Sequence, residues 1–263
     1  MKKIFLVAAL AVVTSLSFGQ VSFGIQAGAN FAMGKFEYDD AYFIGTTNNS
    51  QKNTMHVGLL AGLVAEIPIG SQLAFRPELN FIQHGTKFTA NYTDFPDVIT
   101  ENRKLTLNYI QLPLDVVYKM PVGTGTVFFG LGPVLEFGLS GKDKYSVKNA
   151  FDPTDPFTNL DGTKDVKFDD NKSDGQTDPN YYKKEHYKRF DIGANVLAGY
   201  KLDMGVFMKV GYSHGFMNLD PNDKNASAFD RSTYKNSGIN VSVGYMFGGG
   251  SAKMKTKTKT TTM

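Results

Sequence analysis

The chain of 263 residues has no cysteine and no tryptophan. Without cysteine there is no disulfide, no thiolate metal site and no lipid carried on a cysteine behind a leader. Charge of one sign is also scarce. The formal net charge is +3, and four lysines, Lys253, Lys255, Lys257 and Lys259, lie together near the end, so no basic face marks the chain for nucleic acid. Long apolar runs are missing too. The run 4–13 falls short of the roughly 20 residues that cross a bilayer as a helix, and no later stretch is apolar enough to do so.

What is there favours strands. The 27 glycines weaken helices, and the 21 phenylalanines and 13 tyrosines suit a pleated surface. Length alone allows one large domain or two small ones. Residues 1–19 are of another kind: Lys2 and Lys3, the apolar run, then Ser17 and Gly19 before Gln20. This is the pattern of a secretory signal peptide, with the mature chain expected from residue 20. Export without a membrane helix leaves the periplasm, the medium or the outer membrane.

From residue 21 the chain alternates with a period of two. Ile239, Val241, Val243, Tyr245 and Phe247 share one face of the last run, and Gly238, Asn240, Ser242, Gly244 and Met246 share the other. Similar runs fall at 21–31, 55–67, 73–84, 104–119, 127–139, 190–202 and 206–213, which makes eight strands. Their connections alternate long and short, as an up-and-down barrel with both chain ends on one side requires. The long polar segments are 33–53, 89–103, 141–187 and 218–236. In the run 104–119 the apolar parity changes after Tyr109, from Leu105 and Leu107 to Ile110, Leu112 and Leu114. An extra residue there, a β-bulge beside Pro113, would account for the change.

Alternation alone does not separate a membrane barrel from a soluble one. Residue size does: a soluble barrel shows water Lys, Glu and Thr, whereas the polar faces here carry Gly, Ser and Asn, which fit a crowded interior. Phe190 and Tyr200 stand ten residues apart on one apolar face. That is about 33 Å of strand, or roughly 24 Å when tilted, the height of an apolar band between two aromatic girdles. The expected fold is therefore all-β: an eight-stranded antiparallel up-and-down transmembrane β-barrel over 20–248. The irregular stretch 141–187 is expected to form the longest extracellular loop, and 249–263 a disordered Lys/Thr-rich periplasmic tail.

By this parity Glu66, Arg76, Glu78, Asp115, Glu136, Asp191, Lys201 and Lys209 point into the barrel. An interior only wide enough for side chains makes such charges pair or stay hydrated, so they form either a salt-bridge network plugging the lumen or an ion or proton path. Arg76 and Glu78, two apart on one strand, are expected to find partners on other strands instead of each other. No catalytic residue is expected. Ser213 and His214 are neighbours on a strand and face opposite ways, and His56, His84 and His186 have no evident partner. Asp169, Asn171, Ser173, Asp174, Gly175 and Asp178 faintly follow a calcium loop. Asp174 stands where the turn glycine belongs and Asn180 replaces the bidentate glutamate, so a solvated loop and an ion site both remain, and no metal or cofactor is assigned. The expected partners are outer-membrane lipid around a monomeric barrel, an extracellular ligand at the loops and, through the cationic tail, peptidoglycan.

Several stretches are similar to a known family: Gly24-Ile25-Gln26-Ala27-Gly28-Ala29-Asn30-Phe31, Arg76-Pro77-Glu78-Leu79-Asn80, Leu107-Asn108-Tyr109-Ile110-Gln111-Leu112-Pro113-Leu114, Gly130-Leu131-Gly132-Pro133 and Val243-Gly244-Tyr245-Met246-Phe247. They resemble the small outer-membrane β-barrel proteins of the Bacteroidetes, often named porin-family or PorT-like. The resemblance implies an eight-stranded outer-membrane barrel and carries over no substrate or catalytic residue. It leaves three roles open: a structural anchor or loop-mediated binding protein, a narrow porin or transporter, and an accessory part of a secretion assembly. Phe247 fits the aromatic that often ends such a barrel, but 16 residues follow it here.

Overall fold

The computed structural model describes residues 21–38, 47–94, 96–154, 159–169, 184–221 and 232–247. The signal segment 1–19 and the tail 249–263 expected from the sequence lie outside these residues. Every regular element described is a strand: β1 (Ser22–Ala32), β2 (Lys35–Tyr38), β3 (Thr47–Thr54), β4 (His56–Pro68), β5 (Leu73–Asp94), β6 (Asp97–Val122), β7 (Gly125–Asn149), β8 (Leu160–Phe168), β9 (Lys184–Tyr187), β10 (Phe190–Leu202), β11 (Val206–Gly215), β12 (Ser232–Lys235) and β13 (Ser237–Phe247). Among the described residues no helix is long and apolar enough to cross a membrane.

Eight strands close a ring in the order β1, β4, β5, β6, β7, β10, β11, β13, each antiparallel to the next, and β13 returns to β1 with Phe23 opposite Phe247. Closure leaves no open edge, which is how a sheet satisfies its backbone groups in lipid. Three tight turns join β4 to β5, β6 to β7 and β10 to β11 at one end. Two of them use glycines in left-handed conformation, Gly123 at φ 62° and Gly205 at φ 98°. The outward face of the ring exposes Phe23, Leu63, Leu79, Phe129, Val241 and Phe247. At the upper limit of that band Phe190 stands opposite Phe137.

Three ring strands are far longer than a bilayer needs. β5, β6 and β7 have 22, 26 and 25 residues, against about 10 for a crossing. Their outer halves stand above the membrane as a β-extension, and there the face chemistry reverses. In β6 the odd positions face inward from Ile99 to Val117 without a break. Within the membrane they are Gln111 and Asp115; above it they are Ile99, Leu105 and Leu107. The outward positions change in the opposite sense, from Ile110 and Leu112 to Lys104, Asn102 and Thr100. The parity change read at Tyr109 is therefore not a bulge of β6. It marks the level at which the strand leaves lipid for water, so that apolar side chains move from the outside to the inside. The ladder does carry a bulge at this level, but in β7: Asn108 faces Ser140 and Tyr109 faces Gly138, leaving Leu139 as the extra residue.

The long polar segments are also corrected. Residues 89–94 and 97–102 pair as an extended hairpin, with Asp94 opposite Asp97. The stretch 141–187, expected as an irregular loop, contains the end of β7 paired with β8, and β8 paired in parallel with β9. Segments 33–53 and 218–236 supply β3, which pairs with β5, and the two-stranded sheet of β2 and β12. Alternation is hidden here because one face meets water and the other a small core that accepts Thr, Gly and Asp as well as aromatics.

Candidate functional site: a crossed lumen under an apolar cap

The inward side chains fall into layers set by strand register. Nearest the tight turns, Glu66 Oε1 takes Lys119 Nζ at 2.9 Å and Lys201 Nζ at 3.5 Å. Just above, an apolar layer of Val64, Val117, Phe128, Leu197, Phe207 and Met246 fills the bore. Arg76 lies within it, fully buried, with its guanidinium carbon 4.7 Å from the centre of the Phe128 ring and 4.8 Å from that of Phe207. The two rings have room because their inward neighbours are glycines. A Cβ on Gly199 would overlap the Phe128 ring, and one on Gly244 would overlap that of Phe207. Arg76 is 3.6 Å from Glu66 and 3.3 Å from Glu78. Arg76 and Glu78 thus do pair although they share a strand, with the Phe128 and Phe207 rings holding the guanidinium beside the carboxylate.

The next layer centres on Glu78, which accepts from Lys209 Nζ at 2.7 and 2.5 Å, from Gln26 at 2.7 Å and from Asn80 at 3.1 Å. A carboxylate with this many donors is stabilised in its charged form away from water. Asp115 accepts from Asn195 at 2.9 Å. Higher still, Glu136 meets His84 at 3.0 Å, Gln111 at 2.7 Å and Asn236 at 3.2 Å, while Asp191 accepts from the backbone N–H of Met217 at 3.2 Å. All eight side chains singled out in the sequence lie on the inner wall. Glu66, Arg76, Glu78, Lys201 and Lys209 join in one connected network. Asp115, Glu136 and Asp191 stand apart from it, each with its own donors.

The sequence reading missed the neutral donors Gln26, Asn80, Gln111 and Asn195, and also Lys119. Their inward parity was available; their closeness to the carboxylates was not. The three histidines read as unpartnered have partners: His84 with Glu136, His56 with Thr106 Oγ1 at 3.3 Å, and His186 with Asp169 at 2.9 Å. Ser213 is buried in the wall, whereas His214 stacks on Tyr212 and meets Phe216.

The lumen ends under a second apolar cluster, in the β-extension, built from Phe36, Ile82, Phe88, Leu107, Tyr109, Phe168, Tyr187 and Tyr234. Tyr109 is fully buried, edge-on to His84 below at 5.6 Å and to Phe168 above at 5.3 Å. Around this cap, ion pairs hold β8 and β9 to the ring. Arg103 pairs with Asp143 and, at 3.1 Å, with Glu185, and Lys164 reaches Glu185 at 2.9 Å. Burial of Glu185 favours its neutral form, but Arg103 and Lys164 outweigh it and hold the carboxyl below its ordinary range. For Asp169, likewise, burial is outweighed by His186 and Lys167, and its carboxyl is also lowered. Of the residues that faintly follow a calcium loop, Asp169 is the one described, and it is engaged in these pairs.

Residues 14–220 match the model of the outer membrane protein beta-barrel domain. The chain belongs to that family. As a member of it, the protein resides in the outer membrane of a Gram-negative bacterium, its tight turns on the periplasmic side and its β-extension outside. No curated protein matches the sequence. Similar solved structures include the attachment invasion locus protein Ail of Yersinia pestis, with 11% identity, 87% of this chain and 99% of that chain covered, and a TM-score of 0.36. Neisserial surface protein A has 12% identity over 86% of this chain and 97% of its own, with a TM-score of 0.34. OprG of Pseudomonas aeruginosa has 8% identity over 87% and 96%, also with a TM-score of 0.34.

Proposed function

We propose that this member of the outer membrane beta-barrel family is a rigid, non-conducting anchor whose β-extension is the working part, a structural or binding protein without catalytic chemistry and a monomer in the membrane. The observation that carries this reading is the pairing of Lys209 with Glu78 across the bore, reinforced by Lys201 with Glu66 on the far side of the apolar layer. A side-chain bridge between opposite walls interrupts the water column, and the Arg76, Phe128 and Phe207 stack fills the space between the two bridges. A porin needs the reverse, charges that line a bore and face water.

The resemblance to Bacteroidetes-type PorT-like proteins, most specific over Tyr109 to Pro113, singles out no role, and a narrow porin and an accessory part of a secretion assembly stand as the alternatives. The first test is single-channel recording with the refolded protein in planar bilayers. Silence from protein whose heat-modifiable mobility shows it folded is the expected result. A stable conductance that scales with salt would replace the anchor by a narrow pore, and co-purified envelope partners would favour the secretion role.

A further inference from the structure

The outward face of the β-extension holds an arrangement that folding alone does not favour. Lys87 of β5 stands directly opposite Lys104 of β6, and Lys104 directly opposite Lys144 of β7. All three are exposed, so three ammonium groups form one row across three adjacent strands. Like charges directly opposite on neighbouring strands have their Cβ atoms only about 4.5–5.5 Å apart and destabilise the sheet. Lys142 follows two residues below on the same face of β7. Among the described residues none of these four lysines makes an ion pair, whereas Lys148, Lys164 and Lys167 of the same extension are paired with Asp161, Glu185 and Asp169. The fold supplies counter-charges to Lys148, Lys164 and Lys167 and none to this row.

A groove of about 520 Å³ opens beside the row, lined by Lys104, Lys142 and Lys144 and floored by the neutral donors Thr106, Asn108 and Ser140. The one carboxylate of the lining, Asp165, belongs to β8 and stands opposite Lys142, on the side away from Lys87 and Lys104. The position of the groove fits one class of occupant. One or two outward positions below it the wall reads Phe81, Ile110 and Leu139, the upper limit of the lipid-facing band. The groove therefore starts where acyl chains end and rises to the lysine row at the height of lipid headgroups. Cations clustered beside a membrane face and backed by hydroxyl and amide donors match phosphate groups carried on sugars.

We propose that this groove binds the phosphorylated sugar headgroup of an outer-leaflet glycolipid, its phosphates on the row Lys87, Lys104 and Lys144. The experiment is native mass spectrometry of the full chain refolded in detergent, titrated with diphosphoryl lipid A, with its dephosphorylated form, and with inorganic pyrophosphate. The expected result is saturable binding of diphosphoryl lipid A, weakened at least tenfold in the triple variant Lys87→Gln, Lys104→Gln, Lys144→Gln and unchanged in Lys148→Gln, Lys167→Gln. The triple variant should also unfold at higher urea than the parent, since removing mutual repulsion stabilises the sheet; this rise shows that it folds. Equal lipid A affinity in the triple variant, or equal affinity for the dephosphorylated lipid, would overturn the proposal. Pyrophosphate binding as tight as lipid A would overturn the glycolipid in favour of a free anion.

Discussion

Lys209 and Glu78 come from β11 and β5, four places apart in a ring of eight, and yet their charged ends meet at 2.7 Å. Diametrically opposed walls touch only if the bore is as narrow as two side chains. Each partner was removed from water when the ring closed, so each depends on the other.

Replacing Lys209 by Met should therefore cost about 3–5 kcal/mol, because it leaves Glu78 buried with one cation fewer. The double variant Lys209→Met, Glu78→Gln should recover a large part of that loss. Urea unfolding in vesicles, followed by heat-modifiable mobility, measures both. Losses that simply add would mean that the pair is uncoupled.

Gly199 gives Phe128 its place, and Phe128 gives Arg76 one of its two rings. A Cβ at Gly199 would also lie 2.5 Å from the Met208 carbonyl, so relief by the ring alone is insufficient. Gly199→Val should destabilise by about 1–3 kcal/mol. Ala at Phe128 should partly suppress the defect in the double variant, since it removes the ring that the new side chain strikes.

Tyr109 is the plug between lumen and cap. Truncation to Ala should cost about 3–5 kcal/mol, and Tyr109→Phe far less, because the ring contacts carry the packing. Limited proteolysis separates the parts: in Tyr109→Ala the extension should be cut first, while the strands within the membrane stay protected.

Glu185 and Asp169 fasten β9 to its surroundings, and both carboxyls are held below their ordinary range. A group whose folded pKa is depressed stabilises above its unfolded pKa, and that contribution is lost as pH falls through the folded value. Protection of 184–187 against hydrogen exchange, relative to the intrinsic rate, should hold through neutral pH, begin to fall as pH enters the ordinary carboxylate range and be lost below it. Glu185→Gln should bring faster exchange already at neutral pH. Unchanged exchange in that variant would show that apolar packing of Tyr187 holds the strand without the ion pairs.

The ring could be read in the sequence because lipid imposes a strict rule on one face of each strand. Val57, Leu59 and Leu63 or Phe190, Ile192 and Val196 cannot be moved by one residue without placing polar atoms in hydrocarbon, so strand count, parity within the membrane and eight of the inward charges were legible. The same rule misled at its limit. Face chemistry reports the medium and not the direction in which a side chain points, and where β6 leaves the membrane at Tyr109 the signal inverts while the strand runs straight on. The hairpin around Asp94 and Asp97 and the strand pairs within 141–187 were hidden for that reason.

What the chain alone determined was thus the closed barrel and the identity of eight of the charges inside it, with Lys119 passed over. Which charge meets which was decided by tertiary structure. Glu78 finds Lys209, Glu66 finds Lys201, and three lysines line up across β5, β6 and β7 through the stagger of the closed ring, and stagger is a relation between strands that no single strand contains.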